Sequence, residues 1–133
     1  MSRVARYMGL ALTEASKSTH RRVRIGAVVT LKGRVVGKGA NLSSSHPLQK
    51  IYNEEAKREA PEHNLHAELH ALINSGGVAL KGAHVYVARY NKQGTWAHSK
   101  PCPACTAALK RYEVKSVTFS HPDGWSTQYV RDL

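Results

Sequence analysis

His66, Glu68, Cys102 and Cys105 are the residues of this chain whose types and spacing can do chemistry together. They lie in two short runs, His66-Ala67-Glu68 and Pro101-Cys102-Pro103-Ala104-Cys105, and the second run uses both cysteines of the protein. One imidazole and two thiolates make three good zinc ligands, and a catalytic zinc keeps its fourth position for water. Glu68 is then free for acid–base work. Rival readings of the same residues explain less. His70, four residues after His66, permits a closed structural zinc with two cysteines and two histidines. The protease pattern H-E-x-x-H fails, because the chain reads His66-Ala67-Glu68-Leu69-His70 and the glutamate is one place off. A redox role for the cysteine pair leaves His66 and Glu68 without a purpose.

This chemistry places demands on the backbone. Cys102 and Cys105 are three residues apart, so a first helical turn brings both sulfurs to one side, and the partial positive charge of a helix N-terminus favours the thiolate. Pro103 suits such a turn. His66 and Glu68 are harder to unite, since on an ideal helix they point roughly 200° apart. They share a site only if the helix begins near His66 and both side chains reach around its end.

The rest of the chain has to hold those two helix starts. Ser2 can cap a first helix in which Val4, Met8, Ala11, Leu12 and Ala15 recur at helical spacing, ending near Lys17. Ile25 to Leu31 and Arg34 to Ala40 read as a β-hairpin about the turn Lys32-Gly33. Leu42 to Pro47 reads as loop, and Leu48 to Ala60 as a short exposed helix stopped by Pro61. Asn64 is the expected cap of the helix carrying His66 and Glu68, with Leu65, Leu69, Leu72 and Ile73 as its apolar stripe and Gly76-Gly77 as its end. Ala83 to Ala88 is a strand, and Arg89 to Lys100 a polar loop containing Trp96 and His98. Beyond the cysteines, Ala104, Ala107, Ala108, Leu109 and Tyr112 would face inward along a helix. Val114 to Ser120 is a strand, Pro122-Asp123-Gly124 a turn, and Trp125 to Leu133 a terminal segment of no clear type. The order α-β-β-α-β-α-β is α/β in class with a mixed sheet, and residues 1–133 fit one domain.

The pattern H-x-E followed by P-C-x-x-C resembles the signature of the zinc-dependent cytidine/deoxycytidylate deaminase superfamily. The element order is similar to that family's as well. The resemblance implies a cytidine-deaminase-like three-layer α/β/α fold with a mixed central sheet, and metal ligands at the N-terminal ends of two helices stacked on it. It implies that His66, Cys102 and Cys105 hold Zn2+, and that Glu68 carries protons from water to the ring nitrogen and then to the departing ammonia. In relatives a backbone amide beside the histidine and an asparagine after the second strand contact base or sugar. By position these are Ala67 and Asn41, and Ser99 joins them as a candidate substrate contact. The run His98-Ser99-Lys100 departs from the Thr-x-Glu-Pro-Cys of tRNA adenosine deaminases, and the Ser-Trp-Ser-Pro-Cys of single-strand DNA cytosine deaminases is absent. The expected reaction is hydrolytic removal of the amino group from a cytosine-type nucleotide, deoxycytidylate to deoxyuridylate first. Relatives are commonly dimers or larger, which implies a homo-oligomer here.

Charge narrows the ligand. Lys and Arg number 20 against 9 Asp and Glu, a formal net charge of +11 that favours anionic ligands such as a nucleotide phosphate or nucleic acid. Arg21, Arg22 and Arg24 can clamp phosphate in the bidentate way guanidinium allows, and a solvated loop is the competing reading. The same charge supports an alternative, a deaminase of RNA or single-stranded DNA, although the basic residues are not interleaved with aromatic ones. A nucleic-acid-binding protein with structural zinc is the third reading. Trp96 and His98 can meet a base at the pocket mouth, and Trp96 can equally serve to anchor a long loop. Trp125 and Tyr129 can close over substrate or pack on the sheet, packing being the preferred reading, and His46, His63, His84 and His121 are expected to be surface or packing residues. Two cysteines cannot form the disulfide framework of a small secreted protein. No apolar run approaches the ~20 residues that cross a bilayer, and the N-terminus lacks a signal-peptide core, so a cytoplasmic, membrane-free location is expected.

Overall fold

The computed structural model describes residues 2–20, 23–57 and 64–133. Ser2 opens α1 (Arg3–Ala15), its hydroxyl accepting the Ala5 N–H at 3.1 Å. Strands β1 (Ile25–Leu31) and β2 (Arg34–Ala40) pair antiparallel about Lys32 and Gly33, whose φ angles are +52° and +76°. Two positive φ values give the two-residue turn whose twist matches that of its strands. Then follow α2 (Pro47–Glu55), α3 (Ala67–Ile73), β3 (His84–Arg89), α4 (Pro103–Arg111), β4 (Ser116–His121), β5 (Gly124–Tyr129) and a 3-10 turn, Val130–Asp132.

The strands form one sheet in the order β2-β1-β3-β4-β5. β3 and β4 run parallel across the α4 crossover, and the other neighbours run antiparallel, so the sheet is mixed. Helices cover both faces. α1 packs on β1, β2 and β3 from one side, while α3 and α4, with α2 against α4, form the layer on the other. The period-2 alternation of β1 feeds both cores: Ala27 and Val29 join the α3/α4 side, and Val28 joins Tyr7, Met8 and Ala11 of α1. Leu69 and Leu109 are fully buried in the first of these, each contributing about 1.5–3 kcal/mol by leaving water.

Helix α3 rests on the backbone of β2. A Cβ added at Gly37 would lie 2.3 Å from the Ala71 carbonyl oxygen, and one at Gly39 would lie 2.5 Å from the Ala71 nitrogen. Only glycine permits that approach. The height of α3 above the sheet, and so of the residues at its start, is fixed there.

Asn64 does not cap α3. The cap position is His66, while Asn64 forms an isolated bridge with Ser45. Leu65 explains the shift: its N–H donates to Ser44 and its carbonyl accepts from Leu42, which keeps this stretch extended. α2 is also unlike its expectation. It ends at Glu55, and Gln49, Tyr52 and Asn53 are buried. Pro61 and His63 lie outside the described residues. The terminal segment of no clear type is the edge strand β5, which leaves Trp125 to Tyr129 exposed and so shows no in–out alternation. No helix among the described residues is long and apolar enough to cross a membrane.

Candidate functional site

His66 is the N-cap of α3 and Cys102 the N-cap of α4, and neither side chain makes a capping hydrogen bond. Both side chains turn instead toward one shared cluster. Cys105 lies in the first turn of α4, and His66 Nδ1 sits 3.2 Å from Cys105 Sγ and 3.5 Å from Cys102 Sγ. All the ligand atoms of the three residues fall within 4.8 Å of one another. A tetrahedral zinc at ordinary Zn–N and Zn–S lengths would hold nitrogen and sulfur about 3.6 Å apart, so donor set and spacing both fit that ion. His70 is elsewhere: its Nδ1 meets the backbone of Ala40, 3.1 Å from the amide nitrogen and 3.0 Å from the carbonyl oxygen. The closed site with two histidines is not assembled.

Glu68, the second residue of α3, is 5% exposed, and with the helix beginning just after His66 both residues line one cavity. Burial pushes the Glu68 carboxyl above its ordinary value; the His66 charge opposes this and Cys102 adds to it. The thiols move in opposite directions. A hydrogen bond with Cys105 pulls Cys102 down to about 3, burial opposing and His66 assisting, while the same bond and burial push Cys105 well above the ordinary thiol range. Without an ion they are one coupled pair, a thiolate held by a thiol. A metal held by both sulfurs would take the place of the remaining proton.

Gln49 is the residue that sequence reasoning missed. Its Oε1 accepts the His66 N–H at 3.0 Å, and its Nε2 donates to Asn53 Oδ1 at 3.0 Å. The single available signal was the i, i+4 spacing of two amides, which puts them on one helix face.

A cavity of about 290 Å3 opens onto His66, Glu68 and Cys102, close to the lower bound of about 300 Å3 for small-molecule sites. Ala67, Asn41 and Ser99 all line it, with His20, His98 and Lys100. Ala67 is fully buried at the first position of α3, where an N–H has no carbonyl four residues back. Asn41 ties two chain segments together: Oδ1 accepts the Ile25 N–H at 2.8 Å and Nδ2 donates to the Val23 carbonyl at 2.7 Å. Ser99 does the same for β3 and β4, its hydroxyl donating to the Val87 carbonyl at 2.9 Å and accepting the Ser120 N–H at 2.8 Å. These two side chains brace the wall that they line.

Arg24 lies outside this cavity, in an adjoining groove of about 520 Å3 with Arg89, Tyr90 and Lys92; Arg21 and Arg22 lie outside the described residues. His98 lines the cavity, but Trp96 packs between Tyr90 and Trp125, ring centroids 4.4 and 5.7 Å away. Tyr129 does not pack on the sheet as expected: it is 49% exposed, on an edge strand whose helix-free side leaves it in solvent. His46 caps α2 through Nδ1, and His84 and His121 bond to Ser116 and Ser126. A larger cavity, about 830 Å3 on the outer side of α4, contains none of the ligand cluster and is not where this chemistry gathers.

A family model for the cytidine and deoxycytidylate deaminase zinc-binding region matches residues 1–121. No curated protein sequence matches the chain. Among solved structures, dCMP deaminase from cyanophage S-TIM5 superposes with a TM-score of 0.62 at 21% identity, covering 86% of this chain and 79% of that one. The cyanophage protein is also known in complex with dCMP and dUMP. Cytidine deaminase from Burkholderia pseudomallei gives 0.66 at 16% identity, over 99% of this chain and 95% of its own. A transfer-RNA deaminase that edits A to I at the wobble position gives 0.52 at 28% identity, over 86% and 73%. What the chain shares with these structures is the fold, a five-stranded mixed sheet with helices on it.

Proposed function

The chain belongs to the cytidine and deoxycytidylate deaminase family, and we propose that it is a zinc-dependent hydrolytic deaminase of a cytosine-type nucleotide, deoxycytidylate to deoxyuridylate foremost. The observation that carries this reading is the convergence of His66, Cys102 and Cys105 beside the buried carboxyl of Glu68. Zinc held by those three ligands supplies Lewis acidity, which brings the pKa of water toward neutrality.

Glu68 does the proton work. It accepts a proton from the attacking water, passes it to the ring nitrogen, and delivers the next to the amino group as the carbon–nitrogen bond breaks and ammonia leaves. Its raised pKa suits a group that must hold a proton near neutral pH. Ala67 offers a main-chain N–H to the base, while Asn41 and Ser99 keep the walls in place. Glu68 is the one carboxylate among the described residues that line the cavity, and His20, His98 and Lys100 add basic groups to its lining, which supports a phosphate-bearing substrate. The ligands of the cyanophage relative belong to that class.

Residues 1–133 are read as one deaminase domain, acting in the cytoplasm, where a reducing environment keeps both cysteines available, and as a homo-oligomer that sedimentation can check. A second reading, deamination of a base within RNA or single-stranded DNA, draws on the basic groove beside the cavity. The test is ammonia release by zinc-loaded protein from cytidine, deoxycytidine, deoxycytidylate and a cytosine-containing strand. Deoxycytidylate should be turned over fastest, and Glu68→Gln should be inert. No ammonia from any of the four, with zinc bound, would sink the cytosine assignment.

A further inference from the structure

The two edges of the sheet are finished differently. β2 carries Arg34 and Lys38, and its ladder to β1 slips at Val29/Thr30, where Val36 has no counterpart. Charges and bulges of this kind keep an edge strand from pairing with another chain. Asn41 donates its N–H to Ile25 across the same ladder, so by alternation Lys38 and Ala40 turn their main-chain groups outward. Those groups are occupied. Asn74 Nδ2 donates to the Lys38 carbonyl at 2.7 Å, and His70 Nδ1 meets both the N–H and the carbonyl of Ala40. Side chains on α3 and at its end thus seal the β2 edge.

β5 has none of these devices. Gly124–Tyr129 pairs with β4 without a slip and contains neither a charge nor a proline. Val130 donates its N–H to Lys115 across that ladder, so Trp125, Thr127 and Tyr129 present their main-chain groups to the open side. Among the described residues no side chain bonds to those groups, and Trp125 and Tyr129 are 38% and 49% exposed. The strand is nonetheless held in place. Trp125 belongs to an aromatic platform with Trp96 and Tyr90, and Thr127 Oγ1 bonds Thr118 Oγ1 at 2.7 Å.

A net charge of +11 makes two copies of the chain repel, and an uncharged strand is where they can approach. A two-fold axis through Thr127 sets Trp125 of one copy opposite Tyr129 of the other, with the outward main-chain groups of all three residues in exchanged hydrogen bonds. The same register brings Arg131 to Asp123 of the second copy, since each lies as far from Thr127 as the other. Arg131 sits over the Tyr129 ring with its side chain exposed. A shift of the register by one pair would set Arg131 against His121 or Trp125 and leave the charges unmatched. We propose that β5 is a self-association edge, on which two copies pair antiparallel about Thr127 and join their five-stranded sheets into one. It gives the homo-oligomer a contact surface and is independent of the chemistry in the Glu68 cavity.

The test is sedimentation velocity of zinc-loaded protein over a concentration series. The unaltered chain should pass from 14.6 kDa to twice that mass as concentration rises. Thr127→Pro removes one outward donor from each copy and no ladder bond, and should raise the dimer dissociation constant about tenfold. Asp123→Arg and Arg131→Asp should each raise it about threefold by setting like charges together. Combined, the two changes should restore it, which a merely disturbed fold would not do. Val35→Lys, on the sealed edge, should leave it unaltered. Thermal melting identifies any variant that fails to fold, and the charge exchange, on exposed side chains, keeps the test standing if Thr127→Pro does. A larger assembly that Thr127→Pro halves also upholds the pairing. The mass of one chain at every concentration, an assembly that ignores Thr127→Pro and the charge changes, or one that Val35→Lys disrupts equally, overturns it. Dissociation by Thr127→Pro without rescue by the charge exchange overturns the register about Thr127.

Discussion

Helices α3 and α4 both begin at an extended residue carrying a candidate metal ligand, His66 at φ −79°, ψ 152° and Cys102 at φ −71°, ψ 168°. Both forgo the side-chain cap that would contribute about 0.5–2 kcal/mol. They part company one residue later. α4 continues with Pro103, exposed on the outer side, where the missing N–H is one the helix does not use. α3 continues with Ala67, buried against the cavity with its N–H intact. On the proposed reading, a helix start that serves only a metal can give up its amide and gain stiffness, whereas one that also faces a substrate keeps it.

The sharpest way to break this comparison is to remove the side chain from each start that matters most. Glu68→Gln and Cys105→Ser should each cut turnover by about 10³ or more. Zinc content measured by plasma emission then separates them, retained in the first and lost in the second. Loss of zinc from Glu68→Gln would erase the division of labour between the helices.

Next in size is Ala67→Pro. The ψ of His66, 152°, already suits a residue before proline. Turnover should fall about a hundredfold for the loss of one preorganised donor, with zinc retained. Gln49→Leu tests the support of α3 instead, leaving the His66 N–H without its acceptor. Urea denaturation should show a loss of about 1–3 kcal/mol. Pro103→Ala is the counterpart of Ala67→Pro and should cost only about 0.4–1 kcal/mol, through the entropy of the unfolded chain, with turnover unaltered.

The smallest effect lies away from both helices, at His84 on β3. Burial, with Lys115 adding, lowers its pKa in the folded protein. The unfolded chain therefore binds the proton more readily, so stability rises with pH, is complete above the unfolded value of about 6.5, and declines as pH falls through it. His84→Gln should flatten the melting temperature across that window. A flattening equally seen in Pro103→Ala would show that the slope belongs to another group.

The hairpin β1–β2 was legible because apolar alternation and Lys32-Gly33 agree, and the start of α4 because proline and the cysteine spacing agree. The start of α3 was misplaced by two residues. Asn64 has the right chemistry for a cap, but His66, the candidate metal ligand, occupies the cap position and tertiary bonds at Leu65 hold the chain extended before it. β5 escaped because an edge strand exposed along its length leaves no periodic trace. Asn41 and Ser99 were singled out by position as candidates, yet only the fold reveals that their polar atoms are spent on main-chain groups. The platform of Tyr90, Trp96 and Trp125 is invisible in one dimension, since its rings come from separate elements.

Gly37 and Gly39 give the molecule a mechanical property as well as a close contact. Cores soften on heating largely because side chains exchange rotamers, and a main-chain surface resting on another main-chain surface has none to exchange. The spacing between β2 and α3 is therefore a stiff coordinate in an otherwise compliant body. His66 and Glu68 ride on it, so their elevation above the sheet behaves as a datum for the residues that surround them.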